Sequence, residues 1–262
     1  MKETFSTLLN MIMIALFLLT ACGAPATPPP APTSTVTPSP IPPTFTPQPT
    51  STSTPLPSTT STNIPTNIIA FSTDFNSGVP PQFSDIVTTE SVQGYSGIGT
   101  GNNVFSGDFL RNSSIPPLPT TLTLTGLPAH TSIDLHFLLA IIDSWDGTGS
   151  ACCGIDSFTI TIDGEPVFNE VFNNAAIGGV QSYIPPPGVE LARTVELGFR
   201  DIDEHDQDSG YDMGKNPTFS KIPHTSNILT IEWFASGPGW QGDFDESWAI
   251  DNLEFVLNME NE

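Results

Sequence analysis

Residues 133–141 have the sequence IDLHFLLAI, in which every second side chain is apolar. The odd-numbered positions are all apolar, whereas Asp134 and His136 begin the even-numbered set. This alternation is typical of a β-strand with one face in a hydrophobic core. The sequence therefore predicts a long strand here, with its odd-numbered side chains buried.

The same period-2 pattern recurs in other parts of the chain. Alternating runs occupy residues 121–125, 158–163, 194–200 and 229–234, and Gly, Pro and Asp-Gly turn signals separate them. No stretch of the sequence has capped apolar residues at helical spacing over three turns. We therefore expect an all-β fold, an antiparallel β-sandwich with jelly-roll-like topology.

The last predicted strand contains an irregularity. Trp248 and Ile250 share one parity, whereas the next apolar residue, Leu253, has the other. One extra residue is needed to keep a single face of the strand buried across this change. The pattern predicts a β-bulge at Asp251-Asn252.

The N-terminal quarter of the chain differs from the rest in composition. In residues 23–66, 33 of the 44 residues are Pro, Thr or Ser. The remaining residues include too few apolar side chains to build a hydrophobic core. We expect a disordered linker before a single folded domain. The predicted division is a signal peptide (1–21), a lipidated Cys22 with its stalk (22–66) and a β-sandwich domain (67–262).

The first residues are expected to direct the chain to a membrane. The apolar run at residues 8–19 is too short to span a bilayer but suits a signal peptide. It ends in Leu19-Thr20-Ala21-Cys22, which resembles the lipobox of bacterial lipoproteins and implies lipidation of Cys22. We expect a cell-membrane or outer-membrane protein, held by lipid alone, with its domain on the extracytoplasmic side. The alternative is an ordinary secretory signal followed by an incidental cysteine.

The charge of the chain excludes one class of partner. Six Lys and Arg residues stand against 28 Asp and Glu residues, for a net charge of −22. Nucleic-acid binding requires clustered cations that release counterions from phosphates, and no such cluster is present in the sequence. We therefore expect no nucleic-acid partner.

The closing segment resembles a known group of domains. Residues 246–253 have the sequence ESWAIDNL, similar to the E-S-W-G-I-D-N-V ending of secreted bacterial jelly-roll modules related to galactose-binding-like and carbohydrate-binding domains. Asp74-Phe75-Asn76 similarly resembles their opening. In those modules the first and last strands lie side by side and often share a structural Ca²⁺. The resemblance implies the same pairing here, with Asp74 and Asp251 as candidate Ca²⁺ ligands.

A second candidate metal site is the segment 201–212, which has six Asp or Glu among twelve residues. Oxygen ligands at alternate loop positions suit Ca²⁺, and crowded carboxylates repel one another unless a cation lies between them. The segment is not an EF-hand, because Asp206 stands where Gly is required. The alternative is a solvated acidic loop. The candidate ligands are Asp201, Asp203, Asp206, Asp208 and Asp212.

Two loops at one end of the predicted sandwich are expected to form a ligand pocket or a further Ca²⁺ site. Carbohydrate recognition requires an aromatic face beside carboxylate and amide groups, and Trp240 between glycines is the candidate exposed platform. The alternatives are an Asx-type turn for the first loop and a lid role for Trp240. The candidate residues are Trp145, Asp143, Asp146, Trp240, Asp243, Asp245 and Glu246.

The predicted domain contains two cysteines, and they are adjacent. In an oxidising compartment Cys152 and Cys153 are candidates for a vicinal disulfide. The alternative is a pair of buried, reduced thiols.

Sequence motifs of enzymes are missing. The four histidines form no H-E-x-x-H pair, and no G-x-S-x-G motif occurs. We expect a protein that is not an enzyme: a cell-surface lipoprotein displaying a calcium-stabilised β-sandwich that binds carbohydrate. The alternatives are an adhesive module that binds cell-surface proteins and a glycoside hydrolase that uses two of the many carboxylates.

Overall fold

The computed structural model describes residues 67–84, 97–150, 154–174, 178–199, 207–243 and 245–259, and the backbone of residues 89–93. The predicted signal peptide, Cys22, the stalk and the Cys152-Cys153 pair lie outside these ranges. Within them, no helix is long and apolar enough to cross a bilayer.

Strands account for most of the regular structure in these ranges, together with two 3₁₀ turns, Met213–Lys215 and Pro217–Phe219. The strands are β1 (Ile68–Thr73), β2 (Thr89–Gln93), β3 (Gly99–Thr100), β4 (Asn103–Val104), β5 (Asp108–Asn112), β6 (Thr120–Thr125), β7 (Ser132–Asp143), β8 (Ser157–Ile162), β9 (Glu165–Val171), β10 (Glu190–Val195), β11 (Asp208–Asp212), β12 (Ile222–Pro223), β13 (Ile228–Ser236) and β14 (Glu246–Asn258).

Two antiparallel sheets form the sandwich. The larger has the order β10-β11-β7-β14-β5-β2, and β1 and β12 pair with β14 and β7 respectively. The smaller has the order β6-β13-β8-β9, and β3 and β4 form a separate hairpin. The predicted all-β antiparallel sandwich is confirmed. The first and last strands are also neighbours, as the resemblance implied.

The main core lies between the two sheets and contains the odd-numbered side chains of β7 from Ile133 to Ile141. Full burial of one large apolar side chain contributes roughly 1.5–3 kcal/mol, so this face of β7 determines how the strand docks. The other face is polar only at its start. From Leu138 onward it is buried in a second cluster that includes Phe105, Phe109 and Phe199. Both faces of the central strand are therefore covered.

The predicted bulge is present in β14. Asp251 pairs with Leu138 and Glu254 pairs with His136, so two residues of β14 face the single intervening residue of β7. Asn252 takes the left-handed conformation that this arrangement needs, with a φ of 49°. The bulge lets the apolar side chains on both sides of it enter the same core.

Candidate functional site

The acidic segment 201–212 is described only at its end. Asp201, Asp203 and Asp206 lie outside the described ranges, and Asp208 and Asp212 belong to β11 instead of a loop. Buried Asp208 accepts the backbone N–H of Leu197 at 3.0 Å. The Asp212 carboxylate lies 2.9 Å from the Lys215 ammonium. Both carboxylates are therefore held by groups of the protein itself.

Asp74 and Asp251, the ligands implied by the resemblance, meet at the edge of the larger sheet. Asp251 is buried at the bulge, where its two oxygens accept the N–H groups of Ser106 and Asn252 at 3.1 and 2.7 Å. Burial raises the pKa of Asp251 to about 7, and the nearby Asp74 carboxylate adds to this increase. Hydrogen bonds from Asn76 lower the pKa of Asp74.

An open cleft of about 410 Å³ lies at this place and is lined by Asp74, Asn252 and Glu254, with Ser72, Thr73 and Leu253. Its polar lining offers carboxylate, amide and hydroxyl oxygens. These are the donor types that Ca²⁺ prefers, so Asp74 and its neighbours in the lining fit the ion that the resemblance implies. Asp251 is fully buried and does not line the cleft.

The two predicted loop groups converge at one end of the sandwich. The backbone N–H of Ser144 donates to the carbonyl of Asp245 at 3.2 Å, which links the loop after β7 to the loop before β14. Asp243 and Asp245 are exposed there, whereas Asp143 is buried. The Arg111 guanidinium lies 3.4 Å from the Asp143 carboxylate.

The aromatic residues of this end differ from the prediction. Trp145 is fully buried, and its indole N–H donates to the carbonyl of Ser247 at 2.8 Å. Trp240 is half-buried instead of exposed, because its ring packs edge-on against Trp145 and its N–H donates to the carbonyl of Ser114 at 3.0 Å. Neither ring forms the exposed platform that was predicted for Trp240.

Three buried carboxyl groups meet beneath this end. Asp146 follows β7, Asp156 precedes β8 and Glu246 begins β14, and one oxygen of each lies within 4.8 Å of the others. Burial raises the pKa of Glu246 to about 9 and that of Asp156 to about 6. The sequence analysis included Asp146 and Glu246 but missed Asp156, which has no distinctive sequence context.

A second cleft, of about 370 Å³, runs along β9. Its lining combines the apolar side chains of Phe168 and Ile184 with the polar side chains of Asn169, Glu170 and Thr218. Ile184 is 87% exposed, so its side chain is available to a ligand. This cleft has no counterpart among the predicted site residues.

Comparison with known protein families finds no match, and comparison with curated proteins finds none either. Among solved structures, a xylan-binding domain from Paenibacillus barcinonensis is 9% identical, with 75% of this chain and 99% of that chain covered and a TM-score of 0.31. SGBP-B from a xyloglucan utilization locus of Bacteroides uniformis is 14% identical, with 67% and 46% covered and a TM-score of 0.27. The match thus spans about half of that second chain. At these scores the likenesses assign no function to this chain.

Proposed function

We propose that this protein is a lipid-anchored surface protein whose β-sandwich binds carbohydrate. The observation that carries the proposal is the cleft along β9. The exposed Ile184 offers an apolar contact, and Asn169 and Glu170 offer amide and carboxylate groups beside it. Sugar rings combine apolar C–H faces with polar hydroxyl edges, so a site of this mixed character suits them.

The charge of the chain narrows the ligand class. With a net charge of −22, the chain repels polyanions at long range. Glu170, within the cleft, adds a negative charge at the proposed contact itself. A neutral polysaccharide is therefore the preferred ligand.

The test is binding of the full chain to a panel of soluble neutral and acidic polysaccharides, by affinity electrophoresis and calorimetry. Ile184→Ala is expected to weaken binding of a neutral polysaccharide about tenfold, the effect of losing about 1.4 kcal/mol of contact. Ile115→Ala is the matched control, because Ile115 is 63% exposed and lies near Trp240, outside the cleft. Failure to bind any polysaccharide, or equal binding by both variants and wild type, would refute the proposal.

Calcium belongs to the same proposal. When bound, Ca²⁺ would neutralise Asp74 and Asp251, since the Asp74 charge otherwise disfavours ionisation of Asp251. Asp251→Asn should reduce the calcium-dependent increase in melting temperature. Asp134→Asn, four residues along β7 from the Leu138 that pairs with Asp251, should leave that increase unchanged.

The proposed anchor is tested separately. Cys22→Ala should move the full chain from the membrane fraction to the soluble fraction of a bacterial host, because it removes the thiol to which the lipid would be joined as a thioether. Cys152→Ala is the matched control, because it removes a cysteine of the predicted domain and leaves Cys22 in place. Membrane retention of Cys22→Ala would contradict the lipoprotein assignment.

A further inference from the structure

Three segments that are distant in sequence bring buried carboxyl groups to one point of the sandwich. Asp146 is 4% exposed, and Asp156 and Glu246 are fully buried. One oxygen from each carboxyl lies within 4.8 Å of the other two. In the part of the chain that the structure describes, no Lys or Arg forms an ion pair with any of them. Among these residues, no side-chain cation neutralises the cluster.

Each carboxyl group is oriented by one donor. Oδ2 of Asp156 accepts the backbone N–H of Asp146 at 2.6 Å, and Oε2 of Glu246 accepts the N–H of Gln241 at 2.7 Å. Oδ1 of Asp146 accepts the hydroxyl of Ser150 at 2.6 Å. These contacts fix the rotation of each group and determine where its remaining oxygen points.

The remaining oxygens of the two fully buried acids have no such donor. Among the described residues, none donates an N–H or hydroxyl to Oδ1 of Asp156 or to Oε1 of Glu246. A buried carboxylate oxygen without a partner costs more free energy than the average hydrogen bond contributes. Two such oxygens in one buried cluster of three carboxyl groups indicate a ligand that is positively charged.

The backbone of Gly239 approaches one of these oxygens closely. An added Cβ at Gly239 would lie 2.8 Å from Oδ1 of Asp156 and 3.0 Å from the carbonyl carbon of Gly154. Gly239 is not in a left-handed conformation, so close approach and not backbone strain explains the glycine. A side chain at position 239 would therefore occupy the space beside the Asp156 oxygen.

We propose that Asp146, Asp156 and Glu246 form a buried Ca²⁺ site that ties together the two ends of the β7–β8 loop and the start of β14. The ligands are all carboxylates, with no imidazole or thiolate, which favours a hard cation over zinc or copper. Ca²⁺ is preferred to Mg²⁺ because Mg²⁺ gives up its water reluctantly and this site is buried. Backbone carbonyls or water would complete the six to eight oxygen ligands that Ca²⁺ requires.

This site is distinct from the one at Asp74 and Asp251. Glu246 and Asp251 are five residues apart on β14, so about 16 Å separates them along the strand. The inference also does not depend on carbohydrate binding, since none of its residues lines the cleft along β9.

The experiment measures calcium bound per full chain after the protein is stripped with a chelator, using calorimetry with calcium chloride and then with magnesium chloride. Glu246→Gln and Asp156→Asn keep the shape of each side chain and an acceptor for its backbone donor. Each is expected to bind one calcium ion fewer than wild type. Glu165→Gln, an exposed acid at the start of β9 and outside the cluster, is the control and should bind as many ions as wild type.

A second measurement separates loss of an ion from loss of the fold. In chelator, Glu246→Gln should melt no lower than wild type, because Gln keeps the shape of the side chain and leaves one acidic group fewer in a cluster that then holds no ion. Calcium should raise the melting temperature of wild type more than that of Glu246→Gln. The proposal is overturned if both variants bind as many ions as wild type. It is also overturned if wild type binds no calcium ion at all. A proton shared between Asp156 and Glu246 would then be the partner of their buried oxygens.

Discussion

Arg111 and Asp143 form a buried ion pair at the end of the sandwich that also contains Asp146 and Glu246. Its disruption tests how much this pair contributes to the stability of the fold. Arg111 lies in β5, is 5% exposed, and donates from Nε to the Ser247 hydroxyl at 2.9 Å. Its guanidinium is 3.4 Å from the carboxylate of Asp143, which has no exposed surface. Arg111→Met keeps most of the side-chain volume but leaves the Asp143 charge without this cation. Removal of one partner from a buried pair costs about 3–5 kcal/mol, and solvent cannot screen the remaining charge here.

The assay is urea unfolding of the full chain, followed by tryptophan fluorescence and circular dichroism. The double variant Arg111→Met/Asp143→Asn should regain most of the lost stability, because no charge then remains buried. Asn is suitable at position 143, where φ is 68° and a left-handed conformation is required. A loss below about 1 kcal/mol in Arg111→Met, or a double variant no more stable than the single one, would refute the reasoning.

Three further predictions concern the bulge, the buried tyrosines and the two cation sites. Asn252→Gly should be about 1 kcal/mol more stable than Asn252→Ala in urea unfolding. Both variants lose the hydrogen bond to the Val104 carbonyl, but only Ala is strained at a φ of 49°. Equal stabilities would argue against strain at the bulge. Burial raises the pKa of Tyr211 to about 12, so the folded protein should lose stability as pH rises from 10 towards 12. Between pH 9 and 11, the free energy of unfolding of Tyr211→Phe should fall by about 1 kcal/mol less than that of wild type. If Tyr211→Phe shows the same decline as wild type, this phenol is not the cause. Asp251→Asn and Glu246→Gln should reduce the calcium-dependent stabilisation additively. If the double variant loses no more of this stabilisation than one of the single variants does, the two residues share a site.

The parity of apolar residues predicted the features that depend on one strand alone. The buried odd-numbered face of β7 and the bulge at Asp251-Asn252 both follow from where side chains point along an extended backbone, which has a strict period of two. A change of parity inside a strand has one simple structural solution. These features could be predicted from the sequence because they depend on the residues of one strand and not on contacts with distant segments.

The candidate site was predicted less well because it depends on contacts between loops. Trp145 and Trp240 are flanked by polar or glycine residues, yet each indole N–H is satisfied by a carbonyl of another segment, and the two rings pack together. Asp156 has no signal in its own segment, since its role arises only when β8 and β14 align with the end of β7. Asp208 looked like a loop residue by composition but is a buried residue of β11.

β14 connects these observations, because it carries an acid of each candidate cation site. Glu246 is its first residue and Asp251 lies at its bulge, and the strand pairs with β1, β5 and β7. The two sites lie about 16 Å apart along the strand and share no carboxylate, so each ion would bind its own ligands. Each ion would nonetheless stabilise the same central strand, and through it both the edge strand β1 and the loops that contain Trp145 and Trp240. Loss of either ion is therefore expected to weaken the whole sandwich, whereas the cleft along β9, on the smaller sheet, is affected only through the shared core.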